Sequence, residues 1–78
     1  MNLENTSLYY SDTCSYCKRV LRFMEKSNIT CELKNIDEDE NKDELIKLGG
    51  KRQVPCLIED GHAMYESMDI INHLNSLL

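Results

Sequence analysis

Tyr9-Tyr10-Ser11-Asp12-Thr13-Cys14-Ser15-Tyr16-Cys17 is the stretch whose reading decides the fold. Ser7-Leu8-Tyr9-Tyr10 reads as a short buried strand and Ser11-Asp12-Thr13 as a loop. From Cys17 an apolar stripe continues through Val20, Leu21 and Met24 at i, i+3, i+4 and i+7, the period of an amphipathic helix. A C-x-x-C pair therefore stands where a strand and loop hand over to a helix.

The helix is expected to end near Ser27-Asn28. Ile29 to Ile36 sets Cys31 and Leu33 against Glu32 and Lys34, the two-residue alternation of a strand with one wet side. A second, less amphipathic helix is expected over about Asp39 to Leu48, stopping at Gly49-Gly50. Beyond Lys51-Arg52-Gln53-Val54-Pro55 come two apolar runs, Cys56-Leu57-Ile58 and Ala63-Met64-Tyr65, with Asp60-Gly61 between them as a hairpin signal. The last helix is expected over about Ser67 to Leu77, with Ser67 as N-cap and Ile70, Ile71, Leu74 and Leu78 facing inward. The order is β-α-β-α-β-β-α. Two strands joined through a helix lie parallel and the hairpin is antiparallel, so the expected class is α/β, a mixed four-stranded sheet covered by helices. That layout resembles the minimal thioredoxin fold, and residues 1–78 are expected to form one domain.

Composition narrows the function. No apolar run approaches the ~18–20 residues of a spanning helix, and Met1 to Thr6 lacks a basic segment followed by an apolar one, so a cytoplasmic location is the default expectation. The net charge of -5, with only nine Lys and Arg, argues against a nucleic-acid surface. Much of the acidity lies in Asp37 to Glu44, which reads as a solvated loop and first helical turn and lacks the ligand-and-glycine pattern of a calcium loop. The four cysteines admit a disulfide framework, a zinc site or redox chemistry. Cys31 and Cys56 are isolated, so a zinc ribbon lacks its second pair, and a disulfide scaffold suits long periodic segments poorly. No metal site is expected from spacing, and a redox pair, Cys14 and Cys17, is left.

A thiolate attacks disulfides, whereas an ordinary cysteine, with a pKa of ~8.5, is mostly protonated at neutral pH. At a helix start, unpaired N–H groups and the positive end of the dipole favour the thiolate of Cys14, and Lys18 and Arg19 add charge within one turn. Cys17 lies one turn further in, on the core stripe, close enough to close a disulfide. One sulfur is exposed and activated and the other protected, which suits Cys14 as nucleophile and Cys17 as resolving thiol.

The Tyr9 to Cys17 stretch, Arg52-Gln53-Val54-Pro55 and the order of elements together resemble a glutaredoxin over essentially the whole chain. The resemblance implies a cis-proline loop against the active sulfur and glutathione as reductant and co-substrate, with glutathione reductase acting indirectly. Its glutathione contacts would be Tyr16, Gln53, Val54 and Pro55, the Val54 backbone pairing with the bound tripeptide. Three departures stand out: Ser11 where the family usually has Lys or Arg, Ser15 inside the motif in place of proline, and Met64 to Asp69 in place of Gly-Gly-x-Asp. Tyr65-Glu66-Ser67 is instead similar to the Glu-Ser of glutathione transferase N-terminal domains. That likeness implies Glu66 for the ligand's ammonium and Ser67, at a helix start, for its carboxylate. The plain alternative makes Ser67 an N-cap and Glu66 a solvated side chain.

Tyr16 is expected to shield the redox pair, Cys31 to serve as a small strand hydrophobe and Cys56 to pack in the core, with His62 and His73 facing solvent. The function expected is glutathione-dependent reduction of protein disulfides and glutathione mixed disulfides by a monomer, without nucleic-acid or membrane partners. Two rivals stay open. One is a redoxin reduced by thioredoxin reductase. The other is a [2Fe–2S] module in which Cys14 of two subunits and two glutathione thiols hold the cluster. A non-catalytic glutathione-transferase-like piece sits poorly with C-x-x-C.

Overall fold

A computed structural model describes residues 1–78. Its central strand, β1 (Asn2–Tyr10), begins five residues before the expected Ser7. Asn2 to Asn5 carry no apolar alternation, so nothing local marks them as strand. Asn2 is recruited by pairing with Thr30, and Asn5, at φ 54°, accommodates the register shift between Asn2 and Ser7.

Helix α1 (Ser15–Lys26) connects β1 to β2 (Thr30–Asn35), which lies parallel to it. Helix α2 (Asn41–Gly49) starts two residues later than expected, since Asp39 takes φ 51° and cannot join the helix. It ends as expected, with Gly50 in the left-handed region (φ 91°) donating its N–H to the Ile46 carbonyl. β3 (Cys56–Glu59) and β4 (His62–Met64) form the hairpin, whose Asp60 and Gly61 both have positive φ. The sheet order is β2-β1-β3-β4, mixed and four-stranded, which is the expected thioredoxin-like α/β architecture.

Alternation along β1 and β3 divides the core between the two faces of the sheet. Leu8 and Leu57, paired across strands, join Val20 and Met24 of α1, Ile29, and Ile70 and Leu74 of the last helix, α3 (Ser67–Ser76). Tyr9, paired with Cys56, joins Ile36, Leu45 of α2 and Ile58 on the opposite face. On this smaller side the Tyr9 hydroxyl donates to Glu44, and Lys34 Nζ lies 2.7 Å from the same carboxylate. That pairing holds the Glu44 carboxyl below its ordinary pKa, through the Lys34 hydrogen bond first.

Several local expectations are corrected. Glu66, not Ser67, is the N-cap of α3; Ser67 is the first helical residue, and its side chain is buried. The helix ends at Ser76, so Leu78 lies beyond the last turn and is 64% exposed, while Ile71 is only half-buried. Leu33 is 49% exposed, because β2 is an edge strand whose outer end α1 does not cover. His73 is half-buried, its Nε2 3.1 Å from the Glu59 carboxylate across the α3–β3 contact, whereas His62 is exposed as expected. No helix is long and apolar enough to cross a membrane.

Candidate active site

Cys14 is the N-cap of α1, with extended backbone (φ -94°, ψ 113°), a geometry that turns its side chain back over the first helical turn. The Cys17 N–H donates to Cys14 Sγ at 3.1 Å, so the sulfur takes the place of the oxygen that a serine or aspartate offers at an ordinary helix start. The Lys18 N–H donates to the Cys14 carbonyl, beginning the helical ladder. On its other side the Cys14 thiol faces the Val54 carbonyl at 3.8 Å, across 40 residues of chain. The Val54–Pro55 peptide is cis, and Val54 lies outside every strand.

Cys17 is fully buried on the core side of α1. Burial first, and then the hydrogen bond with the Cys14 side chain, pushes its thiol up to about 12. The two sulfurs thus occupy unlike environments one helical turn apart, and all four cysteines are free thiols. Cys56 is buried behind Pro55, its thiol raised chiefly by desolvation, and Cys31 lies away from the site on β2, half-buried and raised to about 11 by burial. Both pack as the sequence suggests.

Beside Cys14 runs a groove of about 280 Å³ lined by Tyr16, Gln53, Val54, Pro55, Tyr65, Glu66 and Ser67. Every residue expected to contact glutathione is in this set, gathered from the first turn of α1, the loop before β3 and the corner between β4 and α3. Glu66 makes no side-chain cap to α3, which leaves the first-turn N–H donors without a side-chain partner from their own helix. Ser11, at the position of the missing basic residue, is tied to Thr13 Oγ1 at 3.2 Å and Asp37 at 3.4 Å, and so is turned toward β2's end of the molecule. A second depression, about 340 Å³ and mostly apolar, lies between α1 and β2 and includes Cys31. It holds neither motif cysteine.

Tyr65 is the groove residue that sequence reasoning missed. Its hydroxyl donates to the Lys51 carbonyl at 3.0 Å, Lys51 Nζ stands 4.6 Å over its ring, and Gly49 packs so closely that a Cβ there would collide with the hydroxyl. Tyr65 therefore ties the end of α2 and the Val54–Pro55 loop to the β4–α3 corner. Its only sequence signal was adjacency to Glu66-Ser67, because the tyrosine terminates an apolar run and reads as core.

Comparison with known proteins places the chain in a family. Residues 8–77 match the glutathione S-transferase, N-terminal domain family. Glutaredoxin 2 of Escherichia coli (strain K12) is 34% identical over 71 residues, which is 90% of this chain and 33% of that protein. The chain thus spans about a third of the length of the curated relatives it matches. Glutaredoxin 2 from Salmonella typhimurium, solved in complex with glutathione, superposes with a TM-score of 0.78 at 27% identity, covering 92% of this chain and 33% of its own. A thioredoxin-like protein superposes at 0.81 over 97% of this chain and all of its own, at 17% identity, a likeness of fold alone. On sequence and architecture together, the chain belongs to the glutathione S-transferase N-terminal domain family.

Proposed function

We propose that this domain is a glutathione-dependent thiol–disulfide oxidoreductase acting on glutathione mixed disulfides and protein disulfides. The observation that carries the reading is the unlike pair of sulfurs: Cys14 at the groove with an N–H aimed at it, and Cys17 buried directly behind. A glutathione-transferase scaffold needs no second cysteine at this place, whereas the two-thiol reduction of a protein disulfide does.

Cys14 thiolate attacks the glutathione sulfur of a mixed disulfide; the new S–S bond joins Cys14 to glutathione, and the substrate leaves as a thiolate that takes a proton from water. A second glutathione thiolate then attacks that bond, releasing oxidised glutathione and restoring Cys14. With a protein disulfide, Cys14 becomes joined to the substrate and the Cys17 thiolate displaces it, closing the Cys14–Cys17 disulfide at high effective concentration. Two of the influences that hold Cys17 protonated, its hydrogen bond and charge interaction with the Cys14 side chain, disappear once Cys14 is in a disulfide. Burial, the largest influence on the Cys17 thiol, remains after Cys14 has reacted.

Glutathione in this reading lies along Val54, whose backbone is outside the sheet ladder, with Tyr16 over its cysteine and Gln53 and Pro55 along its length. Its γ-glutamyl end falls to Glu66 and to the open first turn of α3 at Ser67. The test is a two-substrate assay at saturating glutathione. Cys17→Ser is expected to keep most deglutathionylation and lose most reduction of an intramolecular protein disulfide. Equal loss of both activities sinks the glutathione route and favours a redoxin fed by thioredoxin reductase.

A further inference from the structure

Helix α1 carries Lys18, Arg19, Arg22 and Lys26 against a single carboxylate, Glu25. The rest of the chain holds thirteen carboxylates and five cations. Ser15, Lys18, Arg19 and Arg22 line an open recess of about 290 Å³ with no hydrophobic member. None of these cations is neutralised: every ion pair in the molecule involves Lys34 or His73. Lys18, Arg22 and Lys26 also stand in a row at i, i+4 spacing, where like charges weaken a helix. A merely solvated face does not need that arrangement. Helix α2, equally exposed, mixes Lys42 and Lys47 with Asp43 and Glu44.

The cationic face adjoins the reacting sulfur. Ser15, on the recess wall, follows Cys14 directly, and the Arg19 guanidinium lies 5.7 Å from the ring centroid of Tyr16, which lines the groove. On the far side of the groove Lys51 Nζ sits over the Tyr65 ring. Cations thus flank the groove on both sides of a protein that is acidic as a whole. From Ser15 to Arg22 the helix rises about 10 Å, the span of roughly three extended residues. We infer that the Lys18–Arg19–Arg22 face is a docking surface for the polypeptide that carries the disulfide, and that it selects substrates with Asp or Glu within a few residues of the reacting cysteine. This rests on the proposed oxidoreductase reading and adds a substrate class to it.

The test uses glutathionylated peptides identical except for acidic, neutral amide or basic residues flanking the cysteine, with kcat/KM measured at low and high salt. At ~0.02 M salt the acidic peptide should be preferred over the neutral one by roughly ten-fold, and at ~0.5 M by less than two-fold, as expected for screened steering. Arg22→Glu, which places a carboxylate between Lys18 and Lys26, should abolish the low-salt preference while the neutral peptide turns over at the original rate; Arg22→Gln should lose about half of it. Equal rates for the three peptides at low salt overturn the docking surface, as does a preference unchanged in Arg22→Glu or a parallel loss on the neutral peptide. No turnover of any peptide defeats the oxidoreductase reading itself, and the docking role with it.

Discussion

Two helices begin beside one groove, and they begin differently. α1 starts from the extended Cys14, whose sulfur receives the Cys17 N–H, so part of its first turn is satisfied by the group that reacts. α3 starts from the equally extended Glu66 (φ -76°, ψ 130°), whose side chain caps nothing. A helix start closed on its own side chain holds that side chain in place. One left open keeps its donors for something that arrives. In the proposed reading, the same backbone device, the unpaired N–H groups of a first turn, serves in one case to position a nucleophile and in the other to offer an anion site.

The contrast breaks most sharply at Cys14→Ser. Serine is a favoured N-cap, so the melting temperature should stay within a few degrees of the parent while disulfide exchange falls to background. A variant that both unfolds and loses activity would mean that the sulfur's structural role had been underestimated. At the open start, Glu66→Ala with Ser67→Ala should raise the KM for a glutathione mixed disulfide by roughly 10–100-fold, the loss of one or two charge-assisted hydrogen bonds. Since neither side chain caps α3, thermal stability should change little; a fall in melting temperature at constant KM would show the corner to be structural only.

The groove wall between the two helix starts is sharpened by Gly49→Ala. The added methyl meets the Tyr65 hydroxyl and should cost ~1–3 kcal/mol of stability by overpacking, with part recovered when Tyr65→Phe removes the hydroxyl. A fully additive pair in urea unfolding would refute the contact.

The smallest effect at neutral pH comes from the buried thiol. Below ~8.5 both folded and unfolded chains keep Cys17 protonated; above it the unfolded chain releases the proton while the folded chain, with the thiol at about 12, retains it. The unfolded state then binds fewer protons, so stability must fall as pH rises from ~8.5 toward 12. Cys31, at about 11, adds a narrower decline. Urea midpoints under reducing conditions at pH 7, 9 and 10 should slope downward in the parent and flatten to a similar degree in Cys17→Ala and in Cys31→Ala, because both folded thiols stay protonated through pH 10; a slope left unchanged by Cys17→Ala would contradict the burial argument.

Much of this was legible in the sequence by itself. A two-residue period gives a strand, a 3.6-residue period gives a helix, and C-x-x-C at the junction sets one sulfur at the helix start and the other on the inner stripe, all within local reach of the chain. Asp60-Gly61 and Gly49-Gly50 announced their turns through the same local chemistry. Tertiary structure alone decided which distant groups meet Cys14. The sheet order β2-β1-β3-β4 carries the Val54 carbonyl to the sulfur across 40 residues and makes Tyr65 a wall of the groove. It also left Leu33 half-uncovered on an edge strand, drew His73 to Glu59, and moved Ser67 from cap to first helical residue. Periodicity reports which side of an element is apolar. It does not report which other element comes to lie there, and that choice belongs to the packing of the whole chain.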